Sequence, residues 1–200
     1  MQLKVIVLAA VLAGTVSPVL AQSVGGLSLS DTTAALAKLP GKPTDTDSSN
    51  GASFEKWTLD GGNTLAVTST PDNKLAYVEV DWSGNAASAA ADFPQLTYGK
   101  TTLNDVRKRF GSDGIRYADR PPVTNTEQGL AFLNSYEVGD NIVTFVSLVP
   151  AADLPTAMQA SDDKIGDFAK LTSISLATPN FAKSWGKATP AAGYHKIEWQ

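Results

Sequence analysis

The stretch TTLNDVRKRFG, residues 101–111, contains the start, the apolar stripe and the end of a short helix. Thr102 and Asp105 fit a capping box, in which the threonine oxygen accepts from the N3 amide and the acid reaches back. Thr101 is an alternative N-cap one residue earlier. Gly111 can take the left-handed conformation that ends a helix. The apolar positions recur at i, i+3 and i+7 and share one face: Leu103, Val106 and Phe110.

A similar pattern occurs 70 residues earlier, in TTAALAKLPGKP, where Thr32, Leu36 and Gly41 keep the same spacing. Thr32 or Ser30 would open this first helix. Each copy precedes three segments of alternating polarity, which predict strands joined by turns. These segments are 54–59, 64–69 and 74–82 in the first copy, and 130–138, 142–149 and 170–177 in the second.

The sequence therefore predicts an α+β fold of two helix-plus-three-strand repeats, with short helices packed on one face of an antiparallel sheet. The first unit covers residues 22–92 and ends in an Ala/Ser/Gly-rich linker, 83–92. The second covers 93–200, with an insert at 151–169 and a C-terminal tail whose four aromatic residues predict docking on the body. The segment DTDSSNG, 45–51, is interpreted as a connecting loop.

The first 21 residues have the pattern of a signal peptide. Lys4 precedes the apolar run 5–16, and Val19 and Ala21 occupy the small-residue positions before a cleavage site. The run is too short to span a bilayer, so we expect cleavage after Ala21, a periplasmic or secreted product and no integral membrane segment. The chain has no cysteine, which rules out a lipobox and disulfides.

Three features of the sequence resemble those of a known family: the order Thr-x3-Val-x4-Gly, Trp57 in a strand, and the run LAVTSTPDNKLAYV (65–78). The chain resembles the small outer-membrane lipoproteins of the SmpA/OmlA type and the related fold of beta-lactamase inhibitory protein, which has two such units in tandem. The resemblance implies helices packed on one face of an antiparallel sheet and non-catalytic protein binding. Unlike the lipoproteins, this chain has two units and no cysteine.

Composition argues against several other functions. The chain carries a formal net charge of −4, which argues against general nucleic-acid binding. Its single histidine, His195, stands near the end, and no G-x-S-x-G elbow supplies a serine nucleophile. We therefore predict no catalytic residue, no metal site and no cofactor.

Two groups of residues are candidates for partner binding. Arg107, Lys108 and Arg109 form a basic triplet in the second helix, although successive helical positions are about 100° apart and so fan outward. A solvated outer face and a local site for an acidic partner both remain open for this triplet.

The second group lies on the face of the sheet that the helices leave open. Tyr77, Glu79 and Asp81 should point to that face, because Val78, Val80 and Trp82 alternate with them and face the helix. Leu171, Ser173 and Ser175 would continue the surface by the repeat, and Phe54, Lys56 and Thr58 would join it. Phe132, Asn134 and Tyr136 share a face of the second hairpin, whose orientation stays open because both its faces are apolar. Packing under loops or the insert is the alternative for these aromatics.

These observations favour non-catalytic binding of another exported or envelope protein through the open sheet face, as an assembly accessory or an enzyme inhibitor. The candidate binding residues are Phe54, Tyr77, Glu79, Asp81, Phe132, Tyr136, Arg107, Lys108 and Arg109. A secreted hydrolase that uses an acid pair or a serine with His195 is the alternative from another class. A small-ligand carrier is the third possibility. The sequence leaves the oligomeric state open.

Overall fold

The structure is a computed structural model that describes residues 22–49, 51–89, 91–161 and 164–198. The predicted signal peptide and Trp199 lie outside the described residues. No helix in the described part of the chain is long and apolar enough to cross a membrane.

Alternating segments form the strands, most of them joined by tight turns that contain Gly, Asn or Asp. The strands are β1 (Ser23–Val24), β2 (Leu27–Ser28), β3 (Asp45–Ser49), β4 (Ala52–Thr58), β5 (Thr64–Ser69), β6 (Leu75–Asp81), β7 (Ile115–Tyr117), β8 (Val123–Thr126), β9 (Gly129–Val138), β10 (Asn141–Pro150), β11 (Lys170–Ala177) and β12 (Ala188–Pro190).

Among the described residues, ten of these strands build one antiparallel sheet in the order β12–β7–β9–β10–β11–β6–β5–β4–β3, and β8 pairs with β9 beside β7. The two predicted three-stranded segments meet where β6 pairs with β11, and Glu79 stands opposite Ser175. The predicted α+β class with a dominant antiparallel sheet is confirmed. The segment interpreted as a connecting loop at 45–51 instead contributes β3, an exposed edge strand, so that interpretation was wrong.

Helix α1 (Leu103–Phe110) forms as the capping signals predict. Thr102 is its N-cap: the Asp105 amide donates to the Thr102 hydroxyl at 2.9 Å, and the Thr102 amide donates to the Asp105 carboxylate at 2.8 Å. Gly111 ends the helix with φ +71°. The three apolar residues of the stripe are buried, so α1 packs on one face of the sheet, called here the helix face.

The predicted first helix is not an α-helix. Residues Thr33–Lys38 form a 3-10 helix in which no residue is fully buried, and the Thr32 side chain makes no capping hydrogen bond. Leu36 and Leu39 are only partly buried against the core. Partly buried apolar residues without a capping box give this segment less stabilisation than α1 receives, and i→i+3 bonds suit such a short segment.

The core lies between the helix face and the segments that cover it. The sheet contributes Trp57, Leu65, Val67, Val78, Val80, Val143, Phe145, Ile174 and Leu176, and the covering segments contribute Val106, Phe110, Phe93, Leu96 and Tyr98. Phe93, Leu96 and Tyr98 follow the predicted linker and enter the core, where Phe93 packs edge-on against Phe110 and Phe145.

Two β-bulges change the side to which residues point. Ala76 in β6 and Thr172 in β11 have no partner opposite them, because the register slips by one residue at each position. A one-residue slip moves the preceding side chains to the other face. Leu75 and Leu171 are therefore buried in the core, and the prediction that Leu171 continues the open surface was wrong.

The insert and the C-terminal tail pack on opposite faces of the sheet. The insert forms α2 (Leu154–Ala157) and α3 (Ile165–Phe168), which pack with Leu103 and Phe132 at one end of the helix face. The tail forms α4 (Pro179–Ala182), which packs with Tyr77 and Ile142 on the other face, called here the open face. The helices therefore cover both faces, which corrects the prediction that they lie on one.

Candidate functional site

The open face presents the side chains that the alternation in β6 predicts. Tyr77, Glu79 and Asp81 stand opposite Ala177, Ser175 and Ser173 of β11. On the other side of β6, Thr68, Ala66 and Thr64 of β5 complete the same rows, and Phe54, Lys56 and Thr58 of β4 extend them. Most of the side chains beside Glu79 and Asp81 in these rows are small, so the open face is recessed at the two acids.

One end of the open face is covered by the C-terminal tail. The Phe181 ring stacks on Tyr77 with centroids 5.0 Å apart, and Trp185 meets Tyr77 edge-on at 6.3 Å. The Arg120 guanidinium lies over the Trp185 ring at 4.2 Å and donates to the Thr144 hydroxyl. Burial raises the pKa of the Tyr77 hydroxyl, so it stays protonated. Tyr77 therefore packs under the tail and is not available as a free anchor.

The other end of the open face is a groove of about 480 Å³. Carboxylates and a lysine line one side, and apolar side chains of β9 and β10 line the other. Its residues are Lys56, Thr64, Glu79, Asp81, Trp82, Ser83, Thr126, Gln128, Ala131, Val146, Leu148, Thr172 and Ser173.

Glu79 and Asp81 are held in the groove by neutral hydrogen-bond donors. The Ser173 hydroxyl donates to Oε1 of Glu79 at 2.9 Å, and the Thr64 hydroxyl donates to Oδ2 of Asp81 at 3.3 Å. Burial and the nearby Asp81 charge raise the pKa of Glu79, because both disfavour its charged form. The groove thus holds two acids side by side in a partly desolvated place.

Comparison of the chain with protein-family models, with curated proteins and with solved structures finds no match.

Phe54 lies at the outer margin of the open face, next to the edge strand β3. Its half-buried ring lines a small depression of about 170 Å³ together with Asp47, Ala52 and Thr68. It therefore shares a face with the groove, as predicted, but it does not line the groove itself.

Phe132 and Tyr136 belong to the helix face, which settles the orientation that the sequence leaves open. Tyr136 is fully buried beside Phe110, and its hydroxyl donates to the Ser112 carbonyl at 2.7 Å. Phe132 is buried with Leu103 of α1. Neither ring reaches the open face, so their inclusion in an open-face surface was wrong.

The basic triplet of α1 does not form one surface. Arg107 pairs with Asp113 at 3.0 Å, and Lys108 is exposed. The Arg109 guanidinium lies 5.7 Å from the ring centres of Phe93 and of Phe110, and it also donates to the Gln95 side chain. Arg107 and Arg109 make separate local contacts and Lys108 faces solvent, so the triplet fans outward as the 100° spacing predicts.

His195 lines a second groove, of about 440 Å³, with Arg109, Phe110, Gln95 and Lys196. Its Nδ1 lies 3.3 Å from the Gly193 carbonyl, and its ring lies close to Gly111 at the end of α1. Within the described ranges, no group of three or more His, Cys, Asp or Glu side chains is arranged to hold a metal ion.

Sequence reasoning missed the far wall of the open-face groove. Thr126 belongs to β8 and Gln128 to the turn after it. The sequence of these two segments shows no strong alternation of polar and apolar residues. Val146 and Leu148 are in a predicted strand, but both faces of that strand are apolar, so their direction depends on the register. The tail aromatics did signal docking, but not the face on which they dock.

Proposed function

We propose that this chain is an exported, non-catalytic binding protein that holds another exported or envelope protein against its open sheet face. The observation that carries the proposal is the open-face groove, which the tail leaves uncovered and in which two acids face outward together. A rigid sheet that presents fixed polar groups beside an apolar wall suits recognition of a partner surface.

The likeness to beta-lactamase inhibitory protein is part of this proposal, and so is the idea that the sheet consists of two related units. Each helical segment starts beside an isolated antiparallel bridge, Thr32 with Lys74 and Thr102 with Lys170, at positions that the sequence repeat equates. The bulges at Ala76 and Thr172 also fall at equivalent positions. These correspondences support two units joined back to back through β6 and β11.

Export belongs to the proposal as well. It rests on the apolar run and the small residues before Gln22, and it is tested by N-terminal sequencing of the protein recovered from the periplasm or the culture fluid. A mature chain that starts at Gln22 supports export. A chain that retains Met1 in the cytoplasm contradicts it.

The binding proposal is tested by capture with tagged residues 22–200 from the native periplasm or culture fluid. The blocking variant is Gln128→Trp, at an exposed position on the rim of the groove. The matched control is Lys108→Trp, which is also at an exposed position, on α1. We expect a retained protein to be lost from Gln128→Trp and kept by Lys108→Trp. The opposite pattern assigns binding to the basic triplet, and failure to retain any protein with the wild-type chain contradicts the proposal.

A further inference from the structure

The open-face groove has a polar side and an apolar side. Glu79 and Asp81 stand on β6, and Lys56 stands on β4, two strands away. Ala66 of β5 lies between Lys56 and Glu79 in the same row, so a methyl group is all that fills the gap of about 10 Å between those two strands. On the other side of the acids, Val146 and Leu148 form the apolar wall.

The groove holds two carboxylates and one lysine, and Arg120 acts on Glu79 without forming an ion pair in the described chain. The ion pairs found there are Lys74–Asp72, Arg107–Asp113, Arg116–Asp113 and Lys196–Glu137, and none of them involves Glu79 or Asp81. The two acids accept hydrogen bonds from the neutral hydroxyls of Ser173 and Thr64.

The positive groups near the acids form no ion pair with them in the described chain. Arg120 lies over Trp185 and donates to Thr144, and Lys56 makes no ion pair within 4.0 Å in the described chain. Two carboxylates that share a partly desolvated site favour the arrival of a cation, because a charge-assisted hydrogen bond is about twice as strong as a neutral one.

We propose that this groove receives a lysine or arginine side chain of the partner protein, with its charged head between Glu79 and Asp81 and its aliphatic stem along Val146 and Leu148. The inference rests on the proposed binding function and names the chemistry of the partner. Lysine and arginine combine an apolar stem with a charged head, which matches the two sides of the groove. A bare metal ion would fill little of a groove of about 480 Å³ and would leave the apolar wall without a contact.

The raised pKa of Glu79 gives the site a pH dependence. The charged and titratable groups that face Glu79 come from three elements. They are Asp81 and the protonated Tyr77 of β6, Lys56 of β4, and Arg120 of the loop before β8. Since protonation removes the charge that attracts the cation, binding should weaken as the pH is lowered.

The test is an NMR titration of ¹⁵N-labelled residues 22–200 with the peptides acetyl-Gly-Gly-Arg-Gly-Gly-amide and acetyl-Gly-Gly-Lys-Gly-Gly-amide. The neutral counterparts carry citrulline and acetyl-lysine. We expect weak, saturable shifts of the β6 and β11 amides with the charged peptides, and affinity lower by about tenfold or more in the double variant Glu79→Gln/Asp81→Asn. The matched control, Asp47→Asn/Asp140→Asn, removes two exposed acids outside the groove and should bind as the wild type does.

Three results would overturn the inference: equal shifts with citrulline, equal affinity in Glu79→Gln/Asp81→Asn, or the same shifts with magnesium or calcium chloride alone. The capture assay distinguishes an error in the proposed cation pairing from an error in the proposed open-face binding surface. If Glu79→Gln/Asp81→Asn retains the partner and Gln128→Trp loses it, the surface stands and the cation pairing is wrong. If Gln128→Trp also retains the partner, the open face itself is wrong.

Discussion

Gly99 lies directly against the indole ring of Trp82. A Cβ built on Gly99 would overlap Cη2 of Trp82, and the Gly99 backbone has φ +71°. The Gly99 amide donates to the Leu171 carbonyl at 2.8 Å, while the Trp82 indole N–H donates to the Asn85 carbonyl at 2.8 Å. The contact therefore joins the end of β6 to the segment that leads into α1, and it fixes how the chain crosses the helix face.

Gly99→Ala should lower the free energy of unfolding by about 2–5 kcal/mol, because left-handed backbone costs an L-residue about 1–2 kcal/mol and an overpacked methyl group adds about 1–3 kcal/mol. Urea denaturation measures the loss. The matched control is Gly41→Ala, where φ is +72° and, apart from Gly41 and its two chain neighbours, no atom of the described residues lies within 4 Å of the added Cβ. An equal loss in both variants would show that the Trp82 contact contributes nothing.

The capping box predicts a difference between the two threonines that the sequence repeat equates. Thr102→Ala should lower the free energy of unfolding by about 1 kcal/mol, because it removes the acceptor of the Asp105 amide. Thr32→Ala should change it by less than about 0.5 kcal/mol, because the Thr32 side chain makes no capping bond. Urea denaturation of both variants checks this, and an equal loss in the two would contradict it.

The sequence predicted the parts of the fold that local rules determine. The cap, stripe and end of α1 and the main strands follow from residue periodicity and turn chemistry within a few positions. The alternation in β6 also placed Glu79 and Asp81 on the open face correctly. These features depend on neighbouring residues alone.

Features that depend on distant segments were not predictable. The bulges that bury Leu75 and Leu171 arise from the register between neighbouring strands. A leucine at either position gives no sign in the sequence that a bulge turns it toward the core. Tyr77 was assigned to the right face, but its cover, Phe181, comes from a segment 104 positions later. The second hairpin is apolar on both faces because α1 covers one face and the tail partly covers the other, so periodicity alone could not orient Tyr136.

Tyr136 and Phe54 should respond differently to substitution, since one is in the core and the other is at the margin of the open face. Tyr136→Ala should cost about 3–5 kcal/mol by leaving a cavity beside Phe110. Tyr136→Phe should cost about 1–2 kcal/mol, because it keeps the ring and leaves the Ser112 carbonyl without the hydroxyl donor. Phe54→Ala should cost less than Tyr136→Ala, because Phe54 is half-buried. Thermal and urea unfolding measure the series, and a larger loss for Phe54→Ala would contradict the assigned faces.

Glu79→Gln should raise the free energy of unfolding at pH 7. Burial and Asp81 raise the pKa of folded Glu79 above its ordinary value of about 4.3, so the folded chain binds a proton more tightly than the unfolded chain does. Wild-type stability therefore falls as the pH rises through the window between the two values, and the glutamine variant lacks this loss while still accepting from Ser173.

Urea unfolding from pH 4 to pH 8 measures that difference, which should be largest at neutral pH and should shrink toward pH 4, where the wild-type carboxyl becomes protonated. Glu127→Gln, an exposed position in the turn between β8 and β9, controls for the loss of one negative charge. A constant difference between Glu79→Gln and the wild type across the pH range would show that the effect comes from packing and not from the buried charge. If the gain in free energy of unfolding decreases as the pH is lowered, and does so in Glu79→Gln alone, the fold keeps the Glu79 carboxylate charged at the expense of stability. That result is expected of a carboxylate positioned to bind a cation.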